Sequence, residues 1–352
     1  MSTSFFVSDI KHGHKGSIDY GLIHTPFASS RAAYGNILTP MVHAKAKHPG
    51  NVLLVLAGAH GDEVEGVLGL NRIVQQLSAE DLEAGEVIII PCANMPAMMN
   101  GTRCSPIDNQ DMNRVYPGNP QGTPTERMAD YILNHLIPEY GVTHVIDIHS
   151  GGKTLSMLPH VAYHNHDASW EYNTTDHVPA RKELANMVTS FKHIVLANEP
   201  DFLTTLDHHV EKQGIPFCYI ECQGGGTSPL PGSVRSIDQG IRNVLVKLGI
   251  LNKNLQAIGP QYTKPSKLYI PHGSQLYLHS HPGLLELIIG PGDTVTKGDL
   301  IGRVHPYLMT TKDSSMPLYA DTSGVVIAMS NQTLIEAGDT LVTIASEWAN
   351  DR

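Results

Sequence analysis

The chain of 352 residues carries a formal net charge of −10 and is 41% hydrophobic, enough for a large buried core and for one large domain beside a smaller one. That negative balance, with no run of lysines and arginines, excludes a phosphate-backbone partner. Apolar runs such as NVLLVLAG and EVIIIP fall far short of the roughly 20 residues a membrane helix needs, which excludes a membrane-spanning helix.

The first segment, MSTSFFVSDIKHGHKG, lacks the apolar stretch of a signal peptide, so the expected location is the cytoplasm. IDYGLIHTPF and ILTPMVHAKA then read as added antiparallel strands. VLLVLAG (52–58), EVIIIPC (86–92) and VTHVIDIHS (142–150) read as buried strands, each bounded by turn residues. Helical periodicity fills the intervals, over VEGVLGLNRIVQQL (64–77) and TPTERMADYILNHL (123–136). Strand, helix, strand in succession predicts an α/β fold whose twisted sheet is mostly parallel or mixed and covered by helices on both faces. A fourth strand, IPFCYIEC, leads through QGGGTSPLPGS into the helical stretch VRSIDQGIRNVLVKLGI. Cys92, Cys104, Cys218 and Cys222 are too few for a disulfide framework and read as reduced thiols; the C-x-x-x-C pair has no second pair to complete a zinc knuckle.

Around KNLQAIGPQYTKPSK (253–267) Gly, Pro and Lys accumulate as in a linker, which divides the chain into a catalytic unit over residues 1–258 and an all-β unit over 259–352. GLLELIIGPGDTVTKGDLIGRV and GVVIAMSNQTLIEAGDTLVTI echo one another, predicting a small two-fold barrel or sandwich. It resembles a lipoyl or biotinyl domain but has no Met-Lys-Met at a turn, so it reads as a β-cap rather than a carrier. His279, His281 and Glu286 of this tail are placed at the surface rather than at a substrate.

Chemistry gathers where the strands end, the usual place for ligands in an open α/β sheet. His60 and Glu63, spaced H-x-x-E at a strand-to-helix turn, can converge on one metal ion; alone they also fit an acidic helix start in a protein that binds none. His149 ends another strand and can supply a third ligand. Asp147, two positions back on the same face, is suited to accept a hydrogen bond from a ligand imidazole. Three protein ligands leave a fourth position for water, the pattern of a catalytic zinc site. Glu221 ends the fourth strand with Tyr219 on its face and reads either as a general base and acid or as a capping or ion-paired carboxylate. The long turn-rich stretch 99–118 carries Arg103, which could polarise a carbonyl, and Asn113 and Arg114, which could hold a carboxylate. Surface arginines in a solvated loop are the alternative.

In order, HGDE, NRVYPG, DIHSGG and IECQGG resemble the succinylglutamate desuccinylase and aspartoacylase family, a branch of the zinc carboxypeptidase superfamily, over most of the chain from SRAAYGN (30–36) onward. The resemblance implies that His60, Glu63 and His149 bind one zinc ion, that Arg103 polarises the scissile carbonyl, that Asn113 and Arg114 bind carboxylate, and that Glu221 is the catalytic base. It also implies a carboxyl-terminal β-domain that helps exclude peptides. Within the family, RCSPIDNQDMNRVYPGNPQGTPTE and DIHSGGKTLSMLP are most similar to the Nα-acetyl-diaminobutyrate deacetylases of ectoine breakdown. MNR in place of LNR, YPG in place of FPG, and the approach HHVEKQGIPFCYIEC depart from that pattern and bear on the substrate.

The expectation is therefore a zinc-dependent amidohydrolase that removes a short acyl group from a small N-acyl amino acid, with a homo-oligomer compatible with the sequence. The alternatives are a deacylase of an acidic N-acyl amino acid, a metallocarboxypeptidase on short peptides, and a metal-binding regulatory protein. The last of these has no need of Glu221 or Arg103.

Overall fold

The computed structural model describes residues 7–8, 15–29, 32–164, 178–197, 203–226, 228–255, 259–270, 275–277, 281–308 and 314–348. After a short β1 (Val7–Ser8), β2 (Ser17–Ser29) and β3 (Ala32–Lys45) form the expected antiparallel pair, and β3 continues onto the main sheet. The predicted buried strands are β4 (His48–Ala57), β5 (Ala84–Ile90) and β6 (His144–Ser150), which run parallel in the order β5, β4, β6. Each reads as a continuous apolar run because both its faces are covered. On one face Leu53, Val55, Ile89 and Ile148 pack against α1 (Val64–Gln76); on the other Leu54, Leu56, Ile88 and Val145 pack against α3 (Pro124–Asp130) and the turns that follow it. Each fully buried Leu, Ile or Val of this kind contributes about 1.5–3 kcal/mol.

The short α2 (Met95–Asn100) lies between β5 and the long loop. The predicted helix over 123–136 is there, but its winding is not uniform: α3 passes into a π-wound stretch, Tyr131–Leu136, and closes as α4 (Ile137–Tyr140). Pro138 accounts for the change, since it has no N–H to donate and its ring crowds the carbonyl one turn back.

Beyond β6 lie β7 (Leu155–Met157) and β8 (His160–His164), then α5 (Val178–Met187), β9 (His193–Ala197), α6 (Leu206–Lys212) and the expected fourth strand, β10 (Phe217–Cys222). β10 lies parallel to β6, while β8 enters antiparallel on its other side, so the sheet is mixed. Cys218, Ile220 and Cys222 face the core beneath α7 (Pro231–Lys247), and all four cysteines are free.

The carboxyl-terminal strands are β11 (Ser266–Ile270), β12 (Gln275–Tyr277), β13 (Gly283–Leu287), β14 (Thr294–Val295), β15 (Leu300–His305), β16 (Met316–Tyr319), β17 (Gly324–Ser330), β18 (Leu334–Ile335) and β19 (Thr340–Glu347). The order β16, β15, β13, β18 forms a smaller sheet, packed over Val295, Ile301, Leu318, Val326 and Ile344 against β17 and β19. The main sheet does not stop at the linker. β11 runs parallel to β9, β19 lies along β11, and β17 joins both β19 and β7. His281 is exposed, and Glu286 is exposed and engages His305 Nε2 at 2.9 Å; His279 lies outside the described residues. No helix among the described residues is long and apolar enough to cross a membrane.

Candidate active site

The chain runs from β4 to β5 on one side and later returns to place β6 on the other, so the carboxyl ends of β4 and β6 flank a reversal of strand order, where an α/β sheet opens a crevice. His60 and Glu63 occupy the turn after β4. Gly61 between them is pressed against the loop after β5: a Cβ there would stand 1.9 Å from the Ala97 carbonyl carbon, and its N–H donates to Thr102 O at 2.9 Å. Only glycine allows that approach, which fixes the turn.

Glu63 precedes α1 but makes no capping hydrogen bond with its side chain. Its carboxylate instead lies between two imidazoles, with Oε1 2.7 Å from His60 Nδ1 and Oε2 3.1 Å from His149 Nδ1, and Oε2 also accepts from Ser150 N at 3.1 Å. The neighbouring acids serve elsewhere: Asp62 accepts from Lys153 N and Glu65 from Gly224 N. Of the three acids of this turn two thus serve structural partners, and Glu63 faces the imidazoles.

His60, Glu63 and His149 are all buried, and one ligand atom from each lies within 4.8 Å of the others. The remote nitrogen of each ring is held by a carboxylate. His149 Nε2–H donates to Asp147 Oδ2 at 2.9 Å, as the alternation along β6 predicts, and His60 Nε2–H donates to Asp111 Oδ1 at 3.0 Å. Those bonds fix the tautomers and turn both Nδ1 atoms toward Glu63. Burial opposes charge on the two rings, yet Glu63 with Asp111 raises the His60 pKa, and Asp147 with Glu63 raises that of His149 well above the ordinary value. Burial would raise the Glu63 pKa; the two imidazoles outweigh it and hold the carboxyl below the usual range. Two lone pairs and a carboxylate facing one another call for positive charge between them, and a dication fits this donor set.

Asp111 was not singled out from the sequence. Its Oδ1 also accepts from Asn113 N at 2.9 Å, and its Oδ2 accepts from Arg103 Nε at 2.9 Å. Arg103, 44% exposed, is thereby aimed at the triad, with Nη1 3.6 Å from Glu63 Oε1. Asn113 is oriented by its acceptor side: Oδ1 takes the Leu206 N–H at 3.1 Å, which leaves the amide NH2 as its free donor group. Arg114 Nη1 donates to Asn113 O at 2.7 Å.

The triad, Arg103, Asn113 and Arg114 border one cavity of about 290 Å³, which Glu221 and Tyr219 also line. Across the sheet His149, Glu221 and His160 are register partners on three neighbouring strands, β6, β10 and β8, so the three side chains share a face in one row. The far wall comes from the carboxyl-terminal strands, through Ile270, Ile327, Ala328, Thr340 and Thr343. Every residue named from the sequence as a ligand, base or binding group borders this space. His160, His164, Asp207 and the tail residues do so without having been foreseen.

A mixed α/β sheet with a His-Glu-His cluster at the strand reversal defines the class, and sequence comparison supplies the family. The profile of the succinylglutamate desuccinylase/aspartoacylase catalytic domain matches residues 49–247. The chain belongs to that family. It is 35% identical over 332 residues to the N-alpha-acetyl-L-2,4-diaminobutyric acid deacetylase of Halomonas elongata, covering 93% of this chain and 91% of the relative. Among solved structures, it is similar to the product-bound ectoine utilization protein EutE (DoeB) of Ruegeria pomeroyi, at 30% identity, 98% and 100% coverage and a TM-score of 0.86. A succinylglutamate desuccinylase from Silicibacter sp. TM1040 matches at 30% identity, 99% and 100% coverage and a TM-score of 0.87.

Proposed function

We propose that the protein is a zinc-dependent deacylase of small N-acyl amino acids, with Nα-acetyl-2,4-diaminobutyrate, a compound of ectoine breakdown, as the preferred substrate. The observation that carries this reading is the convergence of His60, Glu63 and His149 in a cavity that Glu221, Arg103 and Arg114 also line. The relative of Halomonas elongata, whose name gives that activity, supports the choice of substrate.

His60, Glu63 and His149 would hold one zinc ion per chain. When bound, zinc supplies a Lewis acid and lowers the pKa of water to about 7. Arg114 and the Asn113 amide hold the substrate carboxylate, a guanidinium being shaped for two parallel bonds to it. Arg103 directs its guanidinium at the scissile carbonyl oxygen and stabilises the negative charge that develops there. Glu221 takes the proton of the attacking water and returns it to the departing nitrogen. Asp147 and Asp111 keep the two imidazoles in the tautomer that presents Nδ1.

A cavity of about 290 Å³, walled by the carboxyl-terminal strands, suits an acyl amino acid better than a peptide. Glu221→Gln tests the reading: the variant is expected to retain one zinc per chain and to lose at least about a hundredfold in turnover of Nα-acetyl-diaminobutyrate. Near-normal turnover would remove Glu221 from the mechanism. Wild-type enzyme that cleaved a dipeptide or an N-acyl acidic amino acid faster would replace the substrate assignment.

A further inference from the structure

Four acids border the cavity among the described residues: Glu63, Asp147, Glu221 and Asp207. The first two are engaged with the imidazoles and the third is the proposed base. Asp207, in the first turn of α6, has no part in that machinery, and its side chain is 18% exposed. His164 Nδ1 stands 3.3 Å from Asp207 Oδ2 and 3.5 Å from Glu211 Oε2. Glu211 in turn faces the buried Arg181 guanidinium, with Nε 3.2 Å from Oε1, so that this cation is directed at Glu211. A carboxylate has about four acceptor sites, and a contact with His164 leaves capacity on Asp207 for a ligand's ammonium.

The position of Asp207 is set by the carboxylate-binding pair. Leu206, immediately before it, donates its N–H to Asn113 Oδ1 at 3.1 Å. A small amino acid whose carboxylate rests on Arg114 and the Asn113 amide can therefore extend its side chain toward Asp207, which borders the same cavity. Only two methylenes separate the α-carbon of 2,4-diaminobutyrate from its second amine, so the group that meets the amine must be close to that pair. A second acceptor borders the same space. His160 is 2% exposed and its Nδ1–H donates to Leu158 O at 2.7 Å, while no described residue hydrogen-bonds its Nε2. Asp207 and His160 Nε2 thus both offer acceptors to this part of the cavity. They suit an ammonium and oppose the second carboxylate of an acidic substrate.

We infer that Asp207 is the specificity-determining residue of the cavity and receives the side-chain ammonium of a diamino acid substrate. The inference rests on the deacylase reading above and names the group that selects within it.

The test is the pair Nα-acetyl-2,4-diaminobutyrate and N-acetyl-2-aminobutyrate, which share a carbon chain and differ by the amine, assayed on zinc-loaded wild type and Asp207→Asn. A charge-assisted hydrogen bond to the ammonium predicts a loss of about 10- to 100-fold in kcat/KM on the diamino substrate, carried by KM. The neutral substrate should change by less than about threefold on that account, which also shows the variant to be folded. Equal losses on both substrates, or no loss on either, would overturn the role of Asp207 while leaving the function standing. Wild-type enzyme that showed no preference for the diamino substrate would overturn the substrate reading, and this inference with it.

Discussion

Replacing Asp111 by Asn separates two contributions that a single carboxylate makes. Its Oδ1 accepts from His60 Nε2 at 3.0 Å and from Asn113 N at 2.9 Å, and its Oδ2 accepts from Arg103 Nε at 2.9 Å. An asparagine that keeps its oxygen toward His60 places an NH2 group against the Arg103 N–H, donor against donor. The bond to His60 then falls from a charge-assisted to a neutral one, a difference of about 1 kcal/mol. Together with the lost control of ring orientation, that weakens zinc binding by about 10-fold, at the low end for such outer partners. Arg103 loses its anchor as well, and a displaced carbonyl-stabilising donor costs about 10²-fold in kcat even when zinc is saturating. Asp147→Asn is the control, because Asp147 bonds His149 and not Arg103. It should weaken zinc by a similar factor yet recover to within about threefold of wild-type kcat in excess zinc. Competition with a chromophoric chelator gives the affinities, and turnover at saturating zinc gives the second comparison. Equal kcat for the two variants in excess zinc would refute the argument that Asp111 aims Arg103.

Arg114→Ala should reduce kcat/KM on N-acyl amino acids with a free carboxylate by about 10- to 100-fold, with much smaller losses on the corresponding esters; equal losses would leave Arg114 a structural role. His160 gives a prediction about stability. Burial pushes its pKa down from 6.5 to about 4, so the unfolded chain binds a proton there that the folded chain refuses. Stability therefore rises with pH between those two values and is lost as pH falls through them, by about 3 kcal/mol in total. Urea denaturation of wild type and His160→Gln at pH 4.5 and 7 should show a smaller difference between the two pH values in the variant, and identical differences would refute the assignment.

The strands β4, β5, β6 and β10 were legible because strands covered on both faces are written as unbroken apolar runs, and their ends stood out where His60, His149 and Glu221 interrupted those runs. Alternation along β6 and β10 was enough to place Asp147 with His149 and Tyr219 with Glu221. Asp111 escaped because a turn-rich loop has no period to say which acid faces inward. One signal was available: a ligand imidazole needs an acceptor for its second nitrogen, and Asp147 could serve only one of two rings. Asp207 and the strands HVAYH and HIVLA were hidden for another reason. They are short and polar at their ends, and their places depend on pairing with distant strands that no local pattern encodes. The same limit applied to the linker, whose composition marked a break in helical pattern while the backbone pairing of β11 carried the sheet across it.

That continuity ties enclosure to cohesion. β11 satisfies the outer edge of β9, β19 satisfies that of β11, and β17 clasps β7 just beyond the strand that bears His149. A chain cut before β11 would bare a row of unpaired amides along β9 and at the same stroke remove Ile270, Ile327 and Thr343 from around the reacting groups. Widening the chamber by shortening the protein would thus create an adhesive flank. Access for larger substrates has to be gained by exchanging side chains along the existing strands.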